Sequence, residues 1–529
     1  MLNRTQGSSA LFLVALVLVL VPSTGFAQAA ITGVVRDASG GVLPGVTVAA
    51  ASPVLIEKVR SVVTDASGQY RIVDLRPGVY SVTFELPGFS TVKREGVELS
   101  GAFVATINAD LKVGTLEETI TVTGESPVVD VQSTRSQQII DKDVIAAIPS
   151  SRNVNGIQSI IPGMAQEGDS GGINGQMTGG ASRIHGGRTA DSRIYADGIN
   201  MGWAGGNGGG GNMPQVAAAE EVVLTTSGGL AEAETSGVVV NVIPREGANT
   251  FSGQLNFSGA NSSLQGSNYT QALQDAGLRA PFELINVYDG SGMYGGRILP
   301  DKLWFYGVYR QVGGKRTVPG MFYNKNAGNP NAWTVDFDRS RQAFNNNLER
   351  QATIRLTWQA TPRNKFNAHW SEQYNDQNYG DGGGTSGNTV VTPEATTRTY
   401  YIPSRQPHAT WQSPISGRLL AEAGWGMYQA RYRFWTRNDG THNPAMIQLL
   451  EQEGEIPGLT SRMPRAPGQG GFTHSLIGNL ASVRASLTYV TGSHNLKVGY
   501  QGGFGNPSQT YKNFTQVCLL YTSPSPRDS

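Results

Sequence analysis

The sequence predicts a mainly β protein in which a small β-sandwich and an α+β domain precede an incomplete antiparallel β-barrel. Glycine is abundant, with 68 of 529 residues, whereas charged residues make up only 15% of the chain. Such a composition disfavours helical bundles and helix-rich α/β enzymes, whose helices are built largely from Ala, Leu, Glu and Lys. After Phe251 the chain alternates apolar and polar residues in segments of about ten, the pattern of strands with two unlike faces.

The N-terminus has the three parts of a secretory signal peptide. Arg4 precedes an apolar run over residues 10–21, and Ala27 and Ala29 form a small-residue exit site. An uncleaved membrane anchor is the alternative, but the run is shorter than the ~20 residues that a spanning helix needs. We therefore expect residues 1–29 to be removed. The exported chain, which has no second long apolar run, is then either soluble outside the cytoplasm or a membrane β-barrel.

The charge balance and the single cysteine exclude several classes of function. The chain has 41 Lys+Arg and 40 Asp+Glu, so its formal net charge of +1 provides no field that favours nucleic acid. Cys518 has no second cysteine with which to form a disulfide or share a metal ion. We expect no nucleic-acid partner and no disulfide framework.

Short β-branched runs separated by tight turns fill residues 30–113 and predict a β-sandwich. Proline presets one turn torsion and glycine supplies positive φ, so each turn has a physical basis. The turns are Asp-Ala-Ser-Gly at 37–40 and again at 65–68, Leu-Pro-Gly at 43–45 and Arg-Pro-Gly at 76–78. In this order they resemble the carboxypeptidase regulatory-like domain, a transthyretin-like module. The resemblance implies no catalytic residues.

Residues 125–249 combine helical stretches with buried strands. Helices are predicted over residues 139–149 and 154–161, each ending at a proline. They are followed by a Gly-Gly-Arg at 186–188, an apolar strand into Asp197-Gly198, and strands at 220–224 and 237–243. This order resembles the plug domain of TonB-dependent outer-membrane receptors. The sequence departs from many members at 225–229, and this indicates the subgroup with an N-terminal regulatory-like domain.

An acidic and then β-branched segment, residues 114–124, lies between these two domains. One interpretation is an ordinary edge strand; the other is a strand that adds itself to the sheet of another protein. The resembled family carries its TonB box at this place, which implies pairing with periplasmic TonB. The residues of this predicted box are Glu117, Glu118, Thr119, Ile120, Thr121 and Val122.

Residues 250–512 predict the N-terminal part of an outer-membrane β-barrel. A membrane strand needs an apolar lipid face and a polar lumen face, which the alternation at 351–359 and 483–489 provides. A soluble sandwich also alternates, but export, the number of repeats, the aromatic strand ends and the long polar insertions favour a barrel. Roughly nine or ten strands are predicted, against about 22 in the resembled receptors, so we expect a truncated barrel.

Residues 513–529 lose the strand alternation. They contain a Ser-Pro-Ser-Pro-Arg run at 523–527, which a membrane strand does not tolerate. We therefore expect these residues to be a non-native tail.

Two short motifs suggest enzymes but stand in the wrong context. Gly-Asp-Ser-Gly-Gly at 168–172 matches the nucleophile motif of chymotrypsin-like proteases, yet all six histidines follow Ser170, whereas that family places its histidine first. His369 and Glu372 fit a zinc-peptidase spacing, but residues three apart on a strand face opposite sides. We predict no catalytic, cofactor-binding or metal-ligating residue, and no enzyme.

The resemblance implies a receptor in the bacterial outer membrane that binds a nutrient at the cell surface and imports it with TonB. The nutrient would be an oligosaccharide, a peptide or a metal chelate, and the barrel would contact lipid. The alternative is a secreted or surface β-rich adhesin or scaffold that binds carbohydrate or protein. The alternative for Arg188 and Asp197 is that they form structural pairs that hold the plug to the barrel wall. The expected substrate contacts at the plug apex are His185, Arg188, Trp203 and Asn207.

Overall fold

A computed structural model describes most of the chain, largely as β-strands. We refer to its three successive bodies as the sandwich domain (residues 30–123), the inner domain (136–244) and the wall (252–513). The described residues are 30–37, 39–52, 55, 58–73, 75, 78–99, 104–112, 114, 120–123, 136–148, 150, 152–158, 160–166, 182–184, 187–188, 191–202, 214–227, 237–276, 283–326, 336–378, 397–416, 418–436, 447–449, 472–491, 494–513 and 516–518.

The sandwich domain packs two sheets face to face, as predicted. One sheet has the order β4-β1-β7 with β8 also paired to β1, and the other has the order β3-β2-β5-β6-β9. Tyr70 and Phe84 meet edge to face between the sheets, with ring centroids 5.5 Å apart. The strands are β1 (Ala30–Asp37), β2 (Thr47–Ala51), β3 (Val59–Val63), β4 (Gln69–Ile72), β5 (Gly78–Glu85), β6 (Val92–Leu99), β7 (Val104–Thr106), β8 (Ala109–Leu111) and β9 (Ile120–Thr123).

The two Asp-Ala-Ser-Gly turns of the sandwich domain have the same construction. In each, one carboxylate oxygen of the aspartate accepts the main-chain N–H two residues later, at 2.8 Å for Asp37 and 2.8 Å for Asp65. Gly40 and Gly68 then adopt φ of 88° and 68°, a conformation that favours glycine. The predicted turn chemistry is therefore present at both places.

The inner domain is an α+β unit around a five-stranded sheet of order β10-β15-β16-β13-β14. Its core is aliphatic, with Ile140, Ile157, Val222 and Val240 each almost fully buried. The elements are β10 (Ser136–Asp141), α1 (Lys142–Ala147), α2 (Val154–Gln158), β11 (Met164–Gln166), β12 (Ser182–Ile184), β13 (Arg193–Ala196), β14 (Ile199–Asn200), β15 (Ala219–Ser227) and β16 (Val239–Pro244).

Both predicted helices of the inner domain are shorter than expected. The first was predicted over 139–149, but Ile139 and Ile140 belong to β10 and pair with Val223 and Val222. The helix begins only after Asp141, whose carboxylate accepts the N–H groups of the two residues that follow Lys142. This capping residue separates a buried strand from the helix, and apolar periodicity alone does not distinguish the two. The second helix, predicted over 154–161, ends at Gln158.

The wall is one antiparallel sheet of nine strands, in which each strand pairs with the next one along the chain. Its first and last strands, β17 and β26, are not paired with each other within the described residues, so the sheet is not closed there. These findings confirm a mainly β fold with an incomplete barrel. The strands are β17 (Ser252–Asn261), β18 (Leu284–Leu299), β19 (Leu303–Asn324), β20 (Phe337–Thr361), β21 (Asn364–Asn378), β22 (Thr397–Ser416), β23 (Leu419–Thr436), β25 (Phe472–Thr491) and β26 (His494–Asn513), with helix α3 (Gln271–Asp275) between the first two.

The two faces of the wall differ in chemistry. On β20, Arg355 and Thr357 are buried under the inner domain, whereas Ile354 is 48% exposed and Trp358 50% exposed on the opposite face. Trp358 also meets Phe366 of β21 across the outer face, with centroids 5.5 Å apart. The sequence alternation therefore corresponds to a polar inner face and an apolar outer face rich in aromatic rings.

One short strand lies in the segment for which no strand was predicted. β27 (Gln516–Cys518) pairs in parallel with β24 (Ile447–Leu449). Three residues can form such a bridge without the alternation that a longer strand requires.

The helices of the described ranges are short. None of them combines the length and the apolar character that crossing a membrane requires.

Candidate functional site

The contact between inner domain and wall centres on the tight turn between β13 and β14. Asp197 and Gly198 form this turn with φ of 50° and 72°, as expected for an Asp-Gly hairpin. The side-chain oxygen of Asn241 accepts the N–H of Gly198 at 3.0 Å and fixes the turn against the neighbouring strand. A Cβ at position 198 would lie 2.2 Å from a guanidinium nitrogen of Arg484, so the wall approaches the turn closely.

Asp197 and Glu246 hold Arg355 of the wall between them. The Arg355 guanidinium donates one hydrogen bond to Asp197 and another, of 3.0 Å, to Glu246, which lies in the connection from β16 to β17. The Arg355 side chain is only 4% exposed. Glu246 also accepts an ion pair from Lys365 of β21 at 3.2 Å. Two carboxylates and two cations thus form a buried, charge-balanced cluster, which we call the latch.

His408 of β22 completes the latch on the other side of Asp197. Its Nε2 lies 2.9 Å from the Asp197 carboxylate, and its ring stacks on His369 with centroids 4.3 Å apart. Burial alone would raise the pKa of Asp197, but the Arg355 charge and the His408 hydrogen bond outweigh it and hold the pKa below its usual value. Asp197 is therefore a carboxylate at neutral pH. The Nδ1 atoms of His369 and His408 are buried without a hydrogen-bond partner in the described part of the chain.

A second buried arginine joins the two bodies next to the latch. Arg310 of β19 forms a bidentate ion pair with Asp289 of β18, with N–O distances of 3.0 and 2.7 Å. The third guanidinium nitrogen, Nη1, donates to the main-chain carbonyl of Arg152 in the inner domain at 2.8 Å. Because the guanidinium is planar with five donors, one arginine can bind a carboxylate and a carbonyl at once.

The chain passes from inner domain to wall through a fixed connection. The side chain of Asn249 donates to the Asp301 carboxylate at 2.5 Å and accepts from the Trp304 indole at 2.8 Å. Gly247 packs so tightly against the wall that a Cβ there would lie 2.4 Å from the Phe305 carbonyl oxygen. The connection is therefore held at the start of the wall and does not act as a free linker.

A small cavity lies beside the latch, between the two bodies. Its volume is about 20 Å³, enough for about one water molecule. Arg355, His369 and Gln406 line it from the wall, and Gln215 and Arg245 line it from the inner side. A space of this size holds no nutrient, and the latch residues are paired with one another across the contact.

The sandwich domain also contacts the wall. Arg418, in the turn between β22 and β23, forms an ion pair with Asp65 of the second Asp-Ala-Ser-Gly turn. This wall turn lies at the same end as the short connection at residues 362–363, whereas the connections at 379–396 and 437–446 lie at the other end. The sandwich domain therefore sits at the short-turn end of the wall.

Of the four expected apex contacts, only Arg188 lies in the described residues; His185, Trp203 and Asn207 lie outside them. Arg188 is largely exposed and pairs with Asp191 of its own loop at 3.3 Å. Asp197 binds Arg355 of the wall, whereas Arg188 pairs within its own loop. The difference arises because Asp197 is carried on a hairpin that faces the wall, whereas Arg188 finds a carboxylate three residues along its own chain.

The predicted box lies only partly within the described residues. Glu117, Glu118 and Thr119 lie outside them, as does the Gly-Asp-Ser-Gly-Gly motif at 168–172. Residues Ile120–Thr123 form β9 and pair in parallel with Val92–Glu95 of β6. His369 and Glu372 do point apart, since His369 stacks on His408 while Glu372 binds Arg405 at 3.0 Å.

Sequence reasoning missed Arg355, His408, Glu246 and Arg310 as contacts between the inner domain and the wall. A signal for two of them is present, because Arg355 and Arg310 occupy positions on the inward side of alternating strands. A charged residue there needs a partner across the lumen. The identity of that partner depends on how the inner domain is placed, which no local pattern records.

Three comparisons with known proteins gave matches. Residues 30–112 match the family model described as the carboxypeptidase regulatory-like domain. Over 299 residues the chain is 28% identical to the TonB-dependent transporter Oar of Myxococcus xanthus, covering 54% of this chain and 27% of that protein. The chain thus spans about a quarter of the length of this relative.

Solved structures with a similar course of the chain include outer-membrane proteins. The outer membrane transporter YddB from Escherichia coli has a TM-score of 0.43 and 12% identity, over 71% of this chain and 54% of that chain. The ferripyoverdine receptor of the outer membrane of Pseudomonas aeruginosa has a TM-score of 0.46 and 10% identity, over 76% and 48%. The copper transporter OprC has a TM-score of 0.47 and 10% identity, over 72% and 47%.

Proposed function

We propose that this chain, which carries a carboxypeptidase regulatory-like domain and is homologous to a TonB-dependent transporter, is part of a receptor that imports a nutrient across the bacterial outer membrane. In this proposal the inner domain is the plug and the wall is the lipid-embedded barrel. The location is that of the outer-membrane transporters and receptors to which the chain is similar.

The observation that carries the proposal is the latch. A separate α+β domain is held by buried ion pairs against the polar face of a sheet whose other face is apolar. Lipid favours an apolar outer face, and a polar lumen accommodates charged plug contacts. A soluble sandwich would bury mainly apolar side chains between its layers, whereas here the contact between inner domain and wall combines buried ion pairs with a small apolar cluster. This cluster consists of Ala217, Ala218, Met293, Tyr306 and Val308.

The position of the sandwich domain supports an orientation. Outer-membrane barrels have short turns on the periplasmic side and long loops outside the cell. Arg418 binds Asp65 at the short-turn end, so the sandwich domain and the box segment would lie in the periplasm, where TonB acts. The long insertions of the wall would face the medium and take part in nutrient capture.

The proposed mechanism involves no chemistry on the nutrient. The nutrient binds at the outer end, TonB pairs with the box segment by main-chain hydrogen bonds, and a pull on that segment disturbs the inner domain. The contacts that must then yield are the bonds of Asp197 and Glu246 to Arg355 and that of the Arg152 carbonyl to Arg310. The small apolar cluster in which Ala217 and Ala218 pack against the wall must separate with them.

Membrane fractionation and TonB binding test the proposal. The protein encoded by the complete reading frame is expected to stay in the outer-membrane fraction through a carbonate wash and to leave it only with detergent. After purification it is expected to bind the C-terminal domain of TonB. Release by the carbonate wash would favour the adhesin alternative, and a detergent-extracted protein that does not bind TonB would contradict the energy coupling.

A further inference from the structure

The described part of the box segment, Ile120–Thr123, is a paired strand of the sandwich domain. Ile120 faces Val92 and Thr123 faces Glu95, with the two strands running in the same direction. β9 is thereby the outermost strand of the sheet β3-β2-β5-β6-β9. On one side of β9, the main-chain N–H and C=O groups pair with β6. Strand addition to a partner protein would use main-chain groups of the same kind.

β6, the strand that pairs with this segment, is well anchored in the sandwich domain. Val92, Val97 and Leu99 anchor it in the sandwich core, and its other side pairs with β5. Without β9, β6 would present an open row of main-chain donors and acceptors, which proteins generally cover. The edge is therefore a binding surface for an extended peptide, and the chain fills it with its own residues.

The pairing is short and has a defined end. It stops at Glu95, and Gly96 follows with φ of 75°, where the register between β5 and β6 shifts by a bulge. A bulge twists the strand and interrupts its ladder. Parallel pairs are also slightly less stable per residue than antiparallel ones. The pairing between β6 and β9 is thus limited to Val92–Glu95 and ends at the bulge.

A short connection keeps the segment near the β6 edge at Val92–Glu95, which we call the dock. β8 ends at Leu111 and β9 begins at Ile120, so residues 112–119 make the connection. The Lys112 carbonyl accepts the N–H of Ser90, and the Gly114 N–H donates to the Gly88 carbonyl, so the described part of this connection lies against the sandwich domain. The ion pair between Asp65 and Arg418 holds the sandwich domain at the wall, so the dock stays close to the inner domain that the segment leads into.

We infer that the β6 edge of the regulatory-like domain is the resting site of the TonB box, and that the box must leave β6 before TonB can take it. The inference rests on the proposed function, because it states that β6 and TonB compete for the same main-chain groups of the box. The sandwich domain thereby acts as an internal holder that sets how readily the receptor couples. Its ligand is a segment of this chain.

A reversible cross-link tests the inference. Lys93→Cys and Thr121→Cys, whose positions face each other across β6 and β9, are introduced together into the protein encoded by the complete reading frame, with every other cysteine replaced by serine. The disulfide is expected to form in high yield on oxidation. The oxidised protein is expected to bind the purified C-terminal domain of TonB at least about tenfold more weakly than the same protein after reduction.

The control pair is Thr106→Cys with Thr121→Cys, because Thr106 belongs to the other sheet and does not face β9. Absence of the cross-link in the Lys93/Thr121 pair, or a yield no higher than the control, would overturn the resting site. A high yield with unchanged TonB binding would overturn the competition. If the cysteine-free protein itself does not bind TonB, the proposed function fails, and the cross-link yield still reports the docking separately.

Discussion

Arg355 of the wall and Asp197 of the inner domain form a buried ion pair between residues 158 positions apart, and Glu246 binds the same guanidinium. The arrangement joins the inner domain to the wall beside a small apolar cluster that includes Ala218 and Tyr306. Removing one partner of a buried ion pair leaves an uncompensated charge, which costs far more than losing an exposed pair. We therefore expect substitutions in the latch to lower the stability of the protein strongly.

Arg355→Ala is expected to loosen the inner domain. It leaves Asp197 and Glu246 facing each other without the shared cation, and breaking such a buried pair costs about 3–5 kcal/mol. Thermal unfolding in detergent and the rate of proteolysis within residues 136–244 measure the effect. Arg188→Ala is the matched control, since Arg188 is 85% exposed and pairs locally with Asp191. Equal behaviour of the two variants would contradict the latch.

The latch is expected to resist mild acid. The pKa of Asp197 lies below its ordinary value, because Arg355 and His408 more than offset the effect of burial. A carboxyl group with a lowered folded-state pKa stabilises the fold above its unfolded pKa of about 3.9, and this contribution falls as the pH drops toward the folded pKa.

Comparing Asp197→Asn with the unchanged protein isolates this contribution. The difference in unfolding temperature is expected to be constant from about pH 7 to about pH 5 and to narrow only below about pH 4. A difference that already narrows between pH 7 and 5 would show that Asp197 is not held ionised by its partners.

Gly68→Ala is expected to be more damaging than Gly40→Ala. Both glycines end an Asp-Ala-Ser-Gly turn with positive φ, of 68° and 88°, so both substitutions carry a backbone penalty of about 1 kcal/mol. Only at position 68 would the new Cβ also meet the main chain, at 2.7 Å from the Val35 carbonyl oxygen, whereas nothing lies within 4 Å at position 40. Unfolding temperatures of the two variants that drop equally would show that the second turn does not pack against β1.

How far the sequence alone leads can be seen at particular residues. The alternation around Ile354 and Arg355 predicts the strand and its two faces, because a strand has a fixed period of two. The Asp-Gly at 197–198 predicts a turn, because few residues other than glycine tolerate its torsions. The pairing of Asp197 with Arg355 and His408 follows from the relative placement of two bodies, which depends on the whole fold. The boundary at Asp141 escaped prediction because Ile139 and Ile140 fit a buried strand and a helix equally well.

The outer face of the wall is expected to reject charge. Ile354 is 48% exposed on that face, and a basic side chain facing lipid costs about 2–4 kcal/mol near the bilayer midplane. Ile354→Arg is therefore expected to lower the amount of folded protein in the outer membrane, and Ile354→Leu is expected to leave it unchanged. Heat-modifiable migration on gels reports the folded fraction. Normal assembly of the arginine variant would argue that this face contacts water.

The most direct test of the central claim is the effect of Ile120→Pro on TonB binding. Proline removes a main-chain donor and fixes φ near −65°, so it prevents strand pairing by the box, whereas Ile120→Val keeps the main chain intact. The affinity of the protein encoded by the complete reading frame for the C-terminal domain of TonB is measured for both variants, with proteolysis of the sandwich domain as a check on its folding. The account predicts binding more than about tenfold weaker for the proline variant and nearly unchanged for the valine variant. Unchanged TonB affinity of Ile120→Pro, with the sandwich domain intact, would contradict it.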